Sequence, residues 1–229
     1  MTLFRFDWVE KYLGRKPHTI FDVGAWDAAD SISFKERFPE ATVIAFEACP
    51  DNFAAIKKSG KAAASGVRVF NFAVLDRNGP INFHSNEDAH QGPNPGMSGS
   101  ILAPTEKLKT EAPHLRFKEP RKVLGVRLDA FCQTYHIPPP DVLHVDVQGA
   151  EPLVLEGLGV LRPGLIFLET DETEDVGHYR GAKPLTELWR LLWDRGYLVA
   201  YDSGHDALWV HKAYCATLRE TSEAVAEVP

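Results

Sequence analysis

TIFDVGAWDAADSISFKERFPEATVIAFE, residues 19–47, is the stretch that decides the fold. It reads as a buried strand, Thr19–Val23, a turn opened by Gly24, a helix over 30–38 and a second buried strand, Thr42–Phe46, closed by Glu47. Strands of a parallel sheet are covered on both faces, so they are nearly continuous apolar runs, and their ligands sit beyond the carboxyl ends. Asp22 and Glu47 are the acids near two neighbouring carboxyl ends, so both are expected to face a crevice ligand. Glu47 follows the glycine turn by about 20 residues, the spacing at which an acid accepts hydrogen bonds from ribose hydroxyls. A nucleoside is expected.

A dinucleotide fingerprint needs G-x-G-x-x-G so that a pyrophosphate can approach the backbone at a helix start. Here the turn is Gly24-Ala25-Trp26-Asp27-Ala28-Ala29-Asp30, with one glycine and two added carboxylates. Asp27 and Asp30 repel a pyrophosphate and suit an ammonium or sulfonium group. S-adenosylmethionine (SAM) carries both cations and no phosphate. Asp27 or Asp30 can also serve as the N-cap of the helix beginning near Ser31, and the two roles are compatible.

Outward from this unit, 50–58 is expected to be a helix and 67–74 (VRVFNFAV) a third strand beside the second. Asn71, Phe72 and Ala73 would end that strand on the rim shared with Glu47, offering backbone groups and an apolar wall to an adenine. Residues 80–84 read as a short edge strand. Over 85–120 no period is sustained, and glycine, proline and polar residues dominate. A connection this long is expected to be a functional lid that closes over the crevice, the alternative being a solvated excursion in which His90 has no partner. His90, Ser98 and Ser100 are its candidate substrate-facing groups, alongside Gln91, Asn94 and Met97.

A strand over 122–127 and a helix from Leu128 lead to the second informative stretch, DVLHVDVQGAE at 141–151. Period-two alternation puts Leu143, Val145 and Val147 on one face and His144 and Asp146 on the other. Asp146 therefore emerges at the carboxyl end, with His144 one layer deeper as a core histidine. An isolated acid finishing a buried strand needs a partner. Gln148-Gly149-Ala150-Glu151 turns into the next helix, where Glu151 either favours the helix dipole or meets substrate.

Phe21-Asp22-Val23-Gly24-Ala25, Val43-Ile44-Ala45-Phe46-Glu47-Ala48-Cys49-Pro50 and His144-Val145-Asp146-Val147-Gln148-Gly149-Ala150-Glu151 together resemble the FkbM family of SAM-dependent methyltransferases. The family's last motif usually reads D-x-E-G-x-E, with Gln148 in place of the usual Glu here, and its usual glycine near Ala28 or Ala29 is missing. The resemblance implies a class I methyltransferase fold: a Rossmann-like, mostly parallel sheet with helices on both faces and a C-terminal antiparallel hairpin. It also implies methylation of a hydroxyl oxygen on a sugar, polyketide or similar metabolite. Residues and resemblance together give Asp22, Gly24, Ala25, Asp27, Asp30, Ser31, Glu47, Ala48, Asn71, Phe72, Ala73, Asp146 and Val147 as the expected cofactor shell. Asp146 is the first expected base and His90 the second; Ser98, Ser100, Gln148 and Glu151 are expected on the acceptor side.

The remainder agrees. Residues 165–168 read as a strand closed by Glu169, 184–195 as an amphipathic helix, and 197–201 with 207–211 as a hairpin. Residues 1–217 are expected to form one domain and 218–229 a frayed acidic tail. The formal net charge is −7, with 44% hydrophobic and 25% charged residues. That balance offers no basic excess for a nucleic-acid backbone, so a small-molecule acceptor is expected. No apolar run approaches the ~20 residues of a membrane span. Three scattered cysteines and the absence of a cleavage site after the first residues suit a reducing cytoplasm. The first residues place Phe4, Trp8, Tyr12 and Leu13 at helical spacing. The acidic run ETDETEDVGHY at 169–179 offers hard oxygen ligands for Mg²⁺ or Ca²⁺ but reads as a solvated loop, so no metal is expected. A nicotinamide-dependent oxidoreductase with a degenerate fingerprint and a non-catalytic binding module are the alternatives.

Overall fold

The structure is a computed structural model, described here for residues 4–90, 96–170 and 177–215. In chain order the elements begin α1 (Asp7–Leu13), β1 (Thr19–Val23), α2 (Ala29–Arg37), β2 (Thr42–Phe46), α3 (Pro50–Ser59) and α4 (Lys61–Ala64). There follow β3 (Arg68–Phe70), β4 (Ala73–Val74), β5 (Gly79–Phe83), β6 (Asn86–Asp88), α5 (Glu106–Glu111), β7 (Leu115–Phe117) and β8 (Arg121–Val126). The chain continues with α6 (Leu128–Tyr135), β9 (Val142–Val145), α7 (Glu151–Gly157), β10 (Leu165–Glu169), α8 (Leu185–Asp194), β11 (Tyr197–Asp202) and β12 (Asp206–His211).

Seven strands form the main sheet in the order β11-β12-β10-β9-β1-β2-β3. Neighbours are parallel except at β12, which runs antiparallel to both β10 and β11. Alternation distributes the strand side chains between two cores. Ile20, Val43, Val142 and Phe167 pack with Trp8, Phe34 and Phe38 of the α1–α2 layer. Phe21, Ile44, Leu143 and Ile166 pack with Phe131, Leu155 and Leu192 of the α6–α7–α8 layer. Both faces are therefore buried, which is why these strands read as apolar runs. The architecture is the class I methyltransferase fold, with its C-terminal hairpin formed by β11 and β12.

Two expectations are corrected. The third strand is not continuous over 67–74: β3 pairs with β2 only through Phe70, and Ala73–Val74 instead pairs with β8 in a separate sheet ordered β4-β8-β5. Asn71 makes the break, because its side-chain amide donates to the carbonyls of Glu47 (2.7 Å) and Ala48 (3.2 Å). Nor is 85–120 without regular structure. Among its described residues β6 and β7 form an antiparallel ribbon, Ser100 bridges to His84, and Thr105 caps α5. These pieces are three to six residues long, too short to show a period. Gln91, Asn94, residues 171–176 of the acidic run and the tail over 218–229 lie outside the described residues.

Candidate active site

The carboxyl ends of β1, β2 and β9 border a cleft lined by both apolar and polar groups. Val23, Phe46 and Val147 supply apolar wall from the sheet, Phe72 and Ala73 close one side, and Met97, Gly99 and Ile101 close another. The polar groups facing it include Glu47 and Asp146.

Glu47 is 4% exposed, yet both its oxygens are held. Oε2 accepts from the Trp26 backbone N–H (2.7 Å), and Oε1 accepts from the Cys49 N–H (2.7 Å) with the Asn52 amide at 3.4 Å. Burial pushes its pKa up to about 7, against the pull of the Cys49 and Trp26 N–H groups. The Trp26 contact depends on a left-handed turn, with φ of 92° at Gly24, 47° at Trp26 and 65° at Ala28. Gly24 has a further reason to be glycine: a Cβ there would lie 1.7 Å from the Asp146 carbonyl oxygen. The glycine serves the closure of β1 against β9, not the approach of a phosphate.

Asp146 belongs to a different kind of assembly. The Gln148 side-chain amide donates to Asp146 Oδ1 (2.9 Å) and to Glu169 Oε2 (2.8 Å), while its carbonyl lies 3.3 Å from the Tyr179 hydroxyl. That hydroxyl also donates to the Ser98 carbonyl at 2.8 Å. Burial, reinforced by the charges of Asp146 and Glu151, raises the Glu169 carboxyl well above the ordinary carboxylate range, so it holds a proton at neutral pH. Glu151 is buried with its pKa pushed up to about 7 by desolvation. Its carboxylate accepts from the Val147 and Gly149 N–H groups, both at 3.2 Å. It fastens the turn ahead of α7 and, as the first residue of that helix, also accepts from its own backbone N–H.

Other predicted residues are placed elsewhere. Asp22, 1% exposed, does not border the cleft. Its carboxylate accepts from the Ser31 hydroxyl and lies 2.8 Å from His144 Nδ1. His144 stacks on Phe167 with centroids 5.7 Å apart. Burial pulls the imidazole pKa down, but the bond to Asp22 and the charges of Asp22, Asp30 and Asp146 carry it above its usual value. The Asp27 side chain accepts from the Ala29 N–H at 2.9 Å, supporting the start of α2, and burial raises the Asp30 carboxyl. Ala25 is buried in the α1–α2 core. Ser100 is buried, donating to the Val147 carbonyl (3.3 Å), and His90 stacks on His114 away from the cleft lining. Ala48 does border the cleft; Asn71 stands behind it, holding the β2 tip.

Trp26, Asn52, Phe83 and Ile101 also contribute to the cleft. Only Trp26 carried a sequence signal, through its place in the glycine turn.

Comparison with known proteins agrees with this geometry. The family model for the methyltransferase FkbM domain matches residues 22–199. A 2-O-methyltransferase, NoeI, of Sinorhizobium fredii (strain NBRC 101917 / NGR234) is 33% identical over 174 residues, 76% of this chain and 70% of that protein. An O-methyltransferase from Bacillus cereus, solved in complex with SAH, is similar in fold with a TM-score of 0.50 at 12% identity, over 90% of this chain and 78% of that one. With its match running from β1 to the C-terminal hairpin, the chain belongs to the FkbM methyltransferase family.

Proposed function

We propose that the cleft binds SAM and that the chain directs its methyl group to a hydroxyl oxygen of a small metabolite. The buried Glu47 carboxylate at the β2 tip carries the reading. A carboxylate offers about four lone-pair sites, and the Trp26, Cys49 and Asn52 contacts leave room for a ribose hydroxyl. Phe72 and Ala73 offer the adenine an apolar wall, and Asp146 stands where a cationic sulfonium is favoured. SAM supplies a methyl group on a positively charged sulfur, ready for in-line displacement.

The residues of the chain then align and deprotonate the acceptor. Asp146 positions the hydroxyl and accepts its proton, because an unactivated hydroxyl must lose one. Gln148 fixes the orientation of Asp146, and the protonated Glu169 beside it keeps a second negative charge out of the site. The segment carrying Met97, Gly99 and Ile101 acts as a lid that excludes water over the acceptor. The name of the 33% identical relative, a 2-O-methyltransferase, supports oxygen as the acceptor atom. A nicotinamide cofactor is disfavoured, since Gly24 is used for strand closure and the turn lacks the further glycines a pyrophosphate needs. Incubation with methyl-labelled SAM and fractionated metabolite pools should yield a product whose new methyl carbon shows the NMR shift of an O–CH₃ group. Label on nitrogen or carbon, or NAD⁺ binding without SAM binding, contradicts the proposal.

A further inference from the structure

We propose that Asp88, His90 and His114 form a binding site for one divalent transition-metal ion at the tip of the β6–β7 ribbon. The ladder pairs Asp88 with Leu115, and one step further the Ala89 N–H donates to the His114 carbonyl (3.1 Å). There the chain turns, with the His90 N–H donating to Asp88 Oδ1 at 2.9 Å. The turn lays the His90 ring over the His114 ring, centroids 4.4 Å apart and planes within 13°. One nitrogen of each imidazole and a carboxylate oxygen lie within 4.8 Å of one another. An imidazole lone pair lies in its ring plane, so the exposed His90 ring swings out of the stack to bring both nitrogens onto a single ion.

The donor set selects the ion. Two imidazoles and one carboxylate suit Zn²⁺, Co²⁺ or Ni²⁺, whereas Mg²⁺ and Ca²⁺ want oxygen ligands throughout. Asp88 is buried at the base while His90 is exposed, so a solvent-facing coordination position is left for water. No core packing holds an exposed histidine against a second one, which sets this pair apart from His144 in its cage of Phe34, Phe167 and Asp22. The ribbon adjoins the cleft: the Gly96 N–H donates to the carbonyl of Asn86 in β6 (2.8 Å), and Met97 and Gly99 line the cleft.

The test is zinc titration of the tag-free, chelator-dialysed full chain in competition with a chromophoric chelator. Wild type should take up one equivalent. H90A and H114A should each bind at least about tenfold more weakly, since even indirect support of a metal is worth about that much. The double variant H90A/H114A should bind none in this range. Co²⁺ should give visible d–d bands with wild type and none with the double variant, and excess Mg²⁺ or Ca²⁺ should not displace zinc. Thermal melts without metal should coincide for all four proteins, because neither ring belongs to a core cluster. Wild type that binds no zinc overturns the proposal, and so does a double variant that keeps wild-type affinity, which would place the metal on other donors.

Discussion

Two acid centres face each other across the carboxyl edge of the sheet, and they are built differently. Glu47 is held by the backbone N–H groups of Trp26 and Cys49, groups fixed by the turn after β1 and the start of α3. Asp146 is held by a side chain: Gln148 joins it to a protonated Glu169 on the next strand, with Tyr179 behind. A backbone-held carboxylate makes a rigid acceptor, suited to binding a hydroxyl that does not react. A carboxylate in a side-chain network whose neighbour Glu169 is neutral is the negative charge left to take a hydroxyl proton. The difference suggests a division of labour between cofactor binding and chemistry.

The largest expected effect comes from removing the proposed base at constant shape. Asp146→Asn should lower kcat by roughly 10²–10⁴ with SAM affinity changed far less. Steady-state kinetics with an identified acceptor checks this, and normal turnover would break the assignment, most directly if His90→Ala then abolished transfer.

Gly24 stands between the two centres, its N–H on the Phe46 carbonyl and its missing Cβ making room for the Asp146 carbonyl. Gly24→Ala combines a backbone clash with strain at φ 92°, and should cost about 2–5 kcal/mol in denaturant unfolding. A loss below about 1 kcal/mol would show that the strands separate easily and that the two centres are less rigidly placed than described here.

The pH dependence of stability sharpens the comparison. Glu47 and Glu151 have pKa values near 7 against a reference of 4.5, so the folded chain binds more protons than the unfolded chain between those values. Stability therefore falls as pH rises through that window, and the raised His144 adds to the fall above 6.5. On the acid side Asp51, Asp129 and Asp141, all lowered below 3.8, withdraw their stabilisation as pH drops through their folded values. Unfolding monitored from pH 2 to 8 should show a maximum at about pH 4, where the lowered aspartates are ionised and the raised glutamates still protonated, and a loss on the order of a few kcal/mol by pH 8. A flat profile would contradict the burial of both glutamates. The smallest effect concerns the lid: amide exchange at 97–101 should slow when SAM and acceptor are both present, and equal exchange would remove the closure step.

The βαβ unit was legible because its strands are buried on both faces and its turn requires glycine. Asp146 and His144 were legible through the two-residue period of β9. That same period, applied to β1, puts Asp22 opposite Phe21 and Val23 and beside His144, its register partner. Nearness to the strand end alone had put it in the crevice. The link from Gln148 to Glu169 was not legible, because it depends on β9 and β10 being neighbours. The ribbon and short helix of 85–120 escaped for want of length, since three-residue strands carry no period.

The division of labour is tested most directly by measuring SAM affinity and the single-turnover rate at saturating SAM together, on Glu47→Ala and Asp146→Asn. A crossed pattern is expected. Glu47→Ala should weaken SAM binding by ~1–3 kcal/mol, the range for losing hydrogen bonds to a charged group, and leave the saturated rate near wild type. Asp146→Asn should keep the affinity and lose the rate. Unchanged SAM affinity in a folded Glu47→Ala protein, or equal losses of both quantities in both variants, would contradict it.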